Sequence, residues 1–282
     1  MRAALLLLAA HVVLTGWTAG EEIQFEIVRL ESLTGRPERI VAFNSQTPVA
    51  LAVGPERRVA IVEQDRSARR CVYLKAADRV SLGPAQNASW SPAGSRLVVS
   101  RLSPEPGVWL ISVGGGSERL LDRRGRLAVW SQDGRALAWA REVDGRPNVV
   151  IYDLFEADYD VLWSTPVSEF ASVVPVAWGP LGKQLLLAGA GEDGKLRVFV
   201  ASADGRRSLG PELSLAGSKP ETVSGGWLKG GHAVVLVRKA GQSRLFQLND
   251  SKWQPLSQLE SLIPISIACR PDGLYVLRQA DE

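Results

Sequence analysis

The sequence predicts an all-β protein: a six-bladed β-propeller of four-stranded antiparallel blades. Three observations predict it. One turn signature recurs six times at a spacing of about 40 residues. The apolar runs between copies are short, rich in β-branched residues and bounded by Gly, Pro or Asp, which excludes a helical solenoid. The two chain ends carry strands that complement one another, as ring closure requires.

The chain opens on Arg2, an apolar run from Ala3 to Leu14, and small residues at Thr18, Ala19 and Gly20 before Glu21 and Glu22. That order is expected of a secretory signal peptide over residues 1–20, cleaved after Gly20. The apolar run falls short of the roughly 20 residues that cross a bilayer, so no membrane span is expected after cleavage. An uncleaved anchor is the alternative. Residues 21–282 are read as one propeller domain, since a closed all-β ring accommodates this length without a second domain. The expected location is the periplasm or the cell exterior.

Lys and Arg number 33 against 30 Asp and Glu, and removal of Arg2 leaves a net charge of +2. The arginines are scattered singly or in pairs, so neither a phosphate-tracking field nor a nucleic-acid partner is expected. An oxidising compartment permits Cys71 and Cys269 to pair, and the alternative is two small buried side chains.

The clearest copy of the repeat is Trp90-Ser91-Pro92-Ala93-Gly94. The same slot reads Trp130-Ser131-Gln132-Asp133-Gly134, Trp178-Gly179-Pro180-Leu181-Gly182 and Trp227-Leu228-Lys229-Gly230-Gly231. Degenerate copies begin at Val53 and Cys269. The residue before each slot is small or β-branched (Ala52, Ser89, Val129, Ala177, Gly226, Ala268), as a crowded strand nearest a central axis requires. Gly, Pro and Asp then turn the chain into an apolar second strand such as Leu97-Val98-Val99. Third strands such as Val108–Ile111 and short fourth strands such as Glu118–Leu121 complete each blade. After the last motif only two strands remain, whereas Ile23–Leu30 and Arg39–Phe43 precede the first. The N-terminal pair is therefore expected to complete the last blade and to remove its open edge.

This Trp-Ser-Pro-x-Gly turn, followed by apolar, aromatic-rich and short strands, resembles the repeat of the TolB-like (WD40-like) propellers over nearly all of residues 23–282. Six blades consume the mature sequence and leave no room for the α/β domain that accompanies the propeller in TolB itself. The resemblance implies a protein-binding role at the mouth of the central channel. Related blades also occur in the propellers of oligopeptidases.

The residues offer little chemistry. His11 lies in the predicted signal segment, which leaves His232, in a turn slot held elsewhere by Ser95, Arg135 and Lys183. No Gly-x-Ser-x-Gly elbow is present, and Gly114-Gly115-Gly116-Ser117 precedes no helix that would cradle a phosphate. The recurrent Asp-Gly pairs read as hairpin turns rather than calcium ligands. Glu156, Asp158 and Asp160 form the densest acidic cluster and read as a solvated loop. No catalytic residue, metal or cofactor is expected. Trp90, Trp130, Trp178 and Trp227 are assigned to packing between blades. The polar residues just before the innermost strands, Thr47, Gln86, Arg126, Ser172 and Thr222, are the candidate binding residues. The reading is thus a monomeric, exported, non-enzymatic scaffold with a protein or peptide partner of the bacterial cell envelope. The alternatives are an accessory propeller to a separate hydrolase and a metal-dependent propeller hydrolase or lyase.

Overall fold

Each motif turn ends an innermost strand and starts a second one, and the computed structural model shows this six times. It describes residues 23–45, 47–65, 68–75, 78–114, 117–154, 159–161, 170–204, 212–215, 222–250 and 252–280. In chain order, β1 (Ile23–Leu30) and β2 (Glu38–Ser45) precede a first blade of β3 (Pro48–Val53), β4 (Val59–Asp65), β5 (Ala68–Lys75) and β6 (Asp78–Pro84). The second blade is β7 (Asn87–Trp90), β8 (Arg96–Arg101), β9 (Gly107–Ser112) and β10 (Glu118–Asp122). The third is β11 (Arg126–Trp130), β12 (Ala136–Val143), β13 (Arg146–Asp153) and β14 (Tyr159–Val161). The fourth is β15 (Phe170–Trp178), β16 (Gln184–Gly191), β17 (Leu196–Ser202) and β18 (Leu213–Leu215). The fifth is β19 (Thr222–Trp227), β20 (Ala233–Lys239), β21 (Gln242–Asn249) and β22 (Lys252–Pro255). A 3-10 turn, Ser257–Leu262, leads to β23 (Ser266–Arg270) and β24 (Gly273–Gln279).

Every blade is a four-stranded antiparallel sheet, and the sixth has the order β2-β1-β24-β23. The first strand of the chain pairs with the last from Phe25 opposite Gln279 to Leu30 opposite Leu274. This is the closure that the strand count at the two ends predicts. The 3-10 turn buries Leu259 against the fifth and sixth blades.

The core lies between blades. Six clusters of buried apolar side chains each draw on neighbouring sheets, as where Trp90, Leu97 and Trp109 of the second blade meet Ala52, Ala60 and Cys71 of the first. Gly54 shows how close this packing is: a Cβ there would lie 2.8 Å from the Trp90 ring. Trp90, Trp130, Trp178 and Trp227 are all buried.

Candidate functional site: the central channel

Strands β3, β7, β11, β15, β19 and β23 stand around one axis, each packed on the next, and β23 returns to β3. They enclose a cavity of about 230 Å³. The six residues preceding the motif slots, Ala52, Ser89, Val129, Ala177, Gly226 and Ala268, all line it. Crowding explains their size: a Cβ on Gly226 would come within 2.9 Å of the Cys269 Cβ.

Short polar side chains on these strands bond neighbouring blades together. The Leu51 N–H donates to Ser266 Oγ at 3.2 Å, the Ile267 N–H to Ser224 Oγ at 3.1 Å and the Trp130 N–H to Ser89 Oγ at 3.0 Å. Asn87 Nδ2 donates to the Ala128 carbonyl at 2.8 Å, and Trp90 Nε1 to the Ala52 carbonyl at 3.3 Å. Innermost strands of different blades form no sheet with each other, so these bonds supply partners for backbone groups beside the axis.

The five candidate binding residues sit at the leading ends of five innermost strands. Thr47 immediately precedes β3, and its carbonyl accepts from Gln64 N at 2.8 Å. Gln86 precedes β7 and its N–H donates to the Ser100 carbonyl at 2.6 Å. Arg126 opens β11 and is exposed, Ser172 lies within β15 opposite Ala190, and Thr222 opens β19 opposite Arg238. None of the five lines the cavity, whose wall begins one to three residues further along each strand. Gln86 Oε1 and Thr222 Oγ1 are buried atoms without a hydrogen-bond partner among the described residues.

At this leading end the second strands carry charge at one equivalent step, four residues beyond the partner of the motif position: Glu63, Arg101, Arg141 and Arg278. Each is tied within the protein. Glu63 is buried, accepts from Ser45 Oγ at 2.5 Å and pairs with Arg79 and, at 3.5 Å, with Arg70. Arg101 grips Glu118 with two bonds of 2.9 and 2.8 Å, lies 4.7 Å over the Trp109 ring, and holds the Glu118 carboxyl below its ordinary pKa. Arg141 is 3.4 Å from Asp122, whose Oδ2 also accepts from Trp139 Nε1 at 2.9 Å.

The two cysteines are free, which corrects the pairing that the sequence permits. Cys71 lies on the third strand of its blade, two strands out from the axis, and Cys269 on an innermost strand beside the channel. Neighbouring blades therefore hold them at different radii. Burial pushes both thiols up to about 12, which leaves them protonated and weakly reactive at neutral pH.

His232 is exposed on its turn. Gly115, Gly116, Glu156 and Asp158 lie outside the described residues, and Asp160 falls on β14. Among the described residues, no group of three or more His, Cys, Asp and Glu is placed to hold a metal, and no helix is long and apolar enough to cross a membrane. Residues 1–20, with the predicted cleavage site, also lie outside them.

The ring and its channel define a closed six-bladed propeller, and solved structures share the propeller fold. No family model and no curated protein matches the chain by sequence. Among solved structures it is similar to a putative TolB from Agrobacterium tumefaciens, with a TM-score of 0.64 and 14% identity over 93% of this chain and 100% of that one. TolB from Acinetobacter baumannii matches with a TM-score of 0.60 and 12% identity over 92% of this chain and 64% of that one. The β-propeller domain of the Trilobed protease from Pyrococcus furiosus, which has an open velcro topology, matches with a TM-score of 0.50 and 12% identity over 84% and 79%. The fold is that of a TolB-like six-bladed propeller.

Proposed function

We propose that residues 21–282 form an exported, non-enzymatic scaffold of the bacterial cell envelope, a monomer that holds a protein or peptide partner at the leading end of the channel without a cofactor. One observation carries this reading. Thr47, Gln86, Arg126, Ser172 and Thr222 stand at the leading ends of five innermost strands, one to three residues before the channel wall, and inter-blade hydrogen bonds tie those strands together. Likeness to the TolB structures supports a protein partner rather than a small substrate. The test is crosslinking in the native envelope followed by affinity purification, with the Gln86→Ala, Arg126→Ala double variant as control. A single envelope protein captured by the wild type and lost from the folded variant supports the reading. Equal capture by both removes the leading end as the site.

Likeness to the protease propeller supports a second reading, an accessory propeller working beside a separately encoded hydrolase. Recovery of a catalytic subunit in the same purification selects it.

A further inference from the structure

Arg270 differs from its counterparts. The slot after the motif residue holds Gly54, Ser91, Ser131, Gly179 and Leu228 in the first five blades, and an arginine only in the sixth. Arg270 is among the residues that line the channel cavity and is the single charged one among the described residues that do so. The rest of the wall is aliphatic residues, tryptophans and short neutral polar groups.

Arg270 is half-buried and pairs with Gly273 through the strand ladder, but its side chain has no hydrogen-bond or ion-pair partner among the described residues. The nearest acid in sequence, Asp272, is engaged elsewhere: Tyr275 Oη donates to its Oδ2 at 2.6 Å, and Arg29 Nε lies 3.8 Å from the same oxygen. Arg101, Arg141 and Arg278 near the opposite end, by contrast, are matched by Glu118, Asp122 and Glu26. A lone guanidinium in a narrow, low-dielectric opening focuses its field on whatever enters. Its planar fork of donors fits a carboxylate.

We propose that the turn end of the channel is a carboxylate-binding site with Arg270 as its cation, and that its occupant is an acidic side chain of a peptide segment. The proposal rests on the reading that a protein or peptide partner engages the ring, and adds the chemistry that this partner presents. Size favours a side chain over a free ligand: about 230 Å³ is below the roughly 300 Å³ at which pockets for whole small molecules begin. That space admits one or two side chains from a chain lying across the opening.

Trp90, Trp130, Trp178 and Trp227 line the same cavity, so intrinsic fluorescence reports its occupancy. The full-length mature chain is titrated with a capped hexaglutamate peptide, with capped hexaglutamine and with succinate. Hexaglutamate is expected to shift the emission and to bind at least about tenfold more tightly than hexaglutamine, the scale of one charge-assisted contact. Arg270→Gln is expected to lose about that factor with an unchanged melting curve, and Arg119→Gln, at an exposed position of β10, to keep it. Equal binding of the two peptides, no binding of either, or full binding by Arg270→Gln overturns the site. Displacement of hexaglutamate by succinate at equal carboxylate concentration overturns the peptide occupant in favour of a free carboxylate. An envelope partner captured equally by wild type and Arg270→Gln overturns this inference alone, whereas loss of capture from the Gln86, Arg126 variant bears on the leading end alone.

Discussion

Arg278, on the last strand of the chain, holds Glu26, on the first: its Nε donates to Glu26 Oε1 at 2.8 Å and its Nη2 lies 2.6 Å from the same oxygen. Glu26 is 1% exposed, and Arg39 donates to its second oxygen at 2.6 Å. The carboxylate therefore joins β24, β1 and β2 at the seam of the ring. The partners differ in exposure, with the Arg278 side chain 14% exposed and that of Arg39 65%. Arg278→Ala should cost about 3 kcal/mol because it strips the buried partner from a buried charge. Arg39→Ala should cost less than about 1 kcal/mol, since water screens that pair. Denaturant midpoints of the two variants check the ordering, and equal losses would remove Glu26 as the seam's organiser.

Packing between blades makes a second prediction. Trp130 is buried, and Trp130→Ala should cost about 3–5 kcal/mol. Gly54→Ala places a methyl 2.8 Å from the Trp90 ring and should cost about 1–3 kcal/mol, although Gly54 itself has an ordinary φ of −96°. Thermal melts of both variants decide whether these contacts carry the ring. A Gly54→Ala protein as stable as wild type would mean that the blades slide apart at no cost.

The thiols make a prediction with a definite sign. Both have folded pKa values near 12 against an ordinary 9.0, so the unfolded chain loses its thiol protons first as pH rises. Their contribution is fully present below pH 9.0 and is lost as pH climbs toward about 12. Stability measured across that range should fall more steeply for wild type than for Cys71→Ala, Cys269→Ala. A thiol reagent should count both cysteines only after unfolding, and a count of none in the denatured, unreduced protein would restore the disulfide.

Most of the fold was legible because its repeat is a covalent-scale pattern. Trp90, Trp130, Trp178 and Trp227 each end an innermost strand, and the degenerate copies at Val53 and Cys269 fall at or next to strand ends too. Strand β1 spans Ile23–Leu30 as the strand count at the chain ends predicts, and β2 runs slightly longer than Arg39–Phe43. The channel was less legible. A repeat shows which residues are equivalent but not how deep each sits, so the five candidate residues fall just outside the cavity wall rather than on it. Arg270 escaped notice because a Cys-Arg-Pro copy reads as a degenerate motif, and only the ring shows that its second residue lines the channel. The disulfide failed for a related reason: adjacency of blades is visible in sequence order, whereas distance from the axis depends on which strand of the blade carries the cysteine.

Every site described above depends on closure of the ring through β1 and β2. Strand β1 pairs with both β24 and β2, and the end of β2 is fastened to the first blade where Ser45 donates to Glu63 and Arg79 reaches the Asn44 carbonyl. The most direct measurement is the thermal unfolding of a chain lacking residues 21–43, beside the mature protein. Loss of a single cooperative transition, or a large fall in its midpoint, is the predicted result. A truncated chain that melts in one transition at the mature protein's temperature would contradict the closed ring.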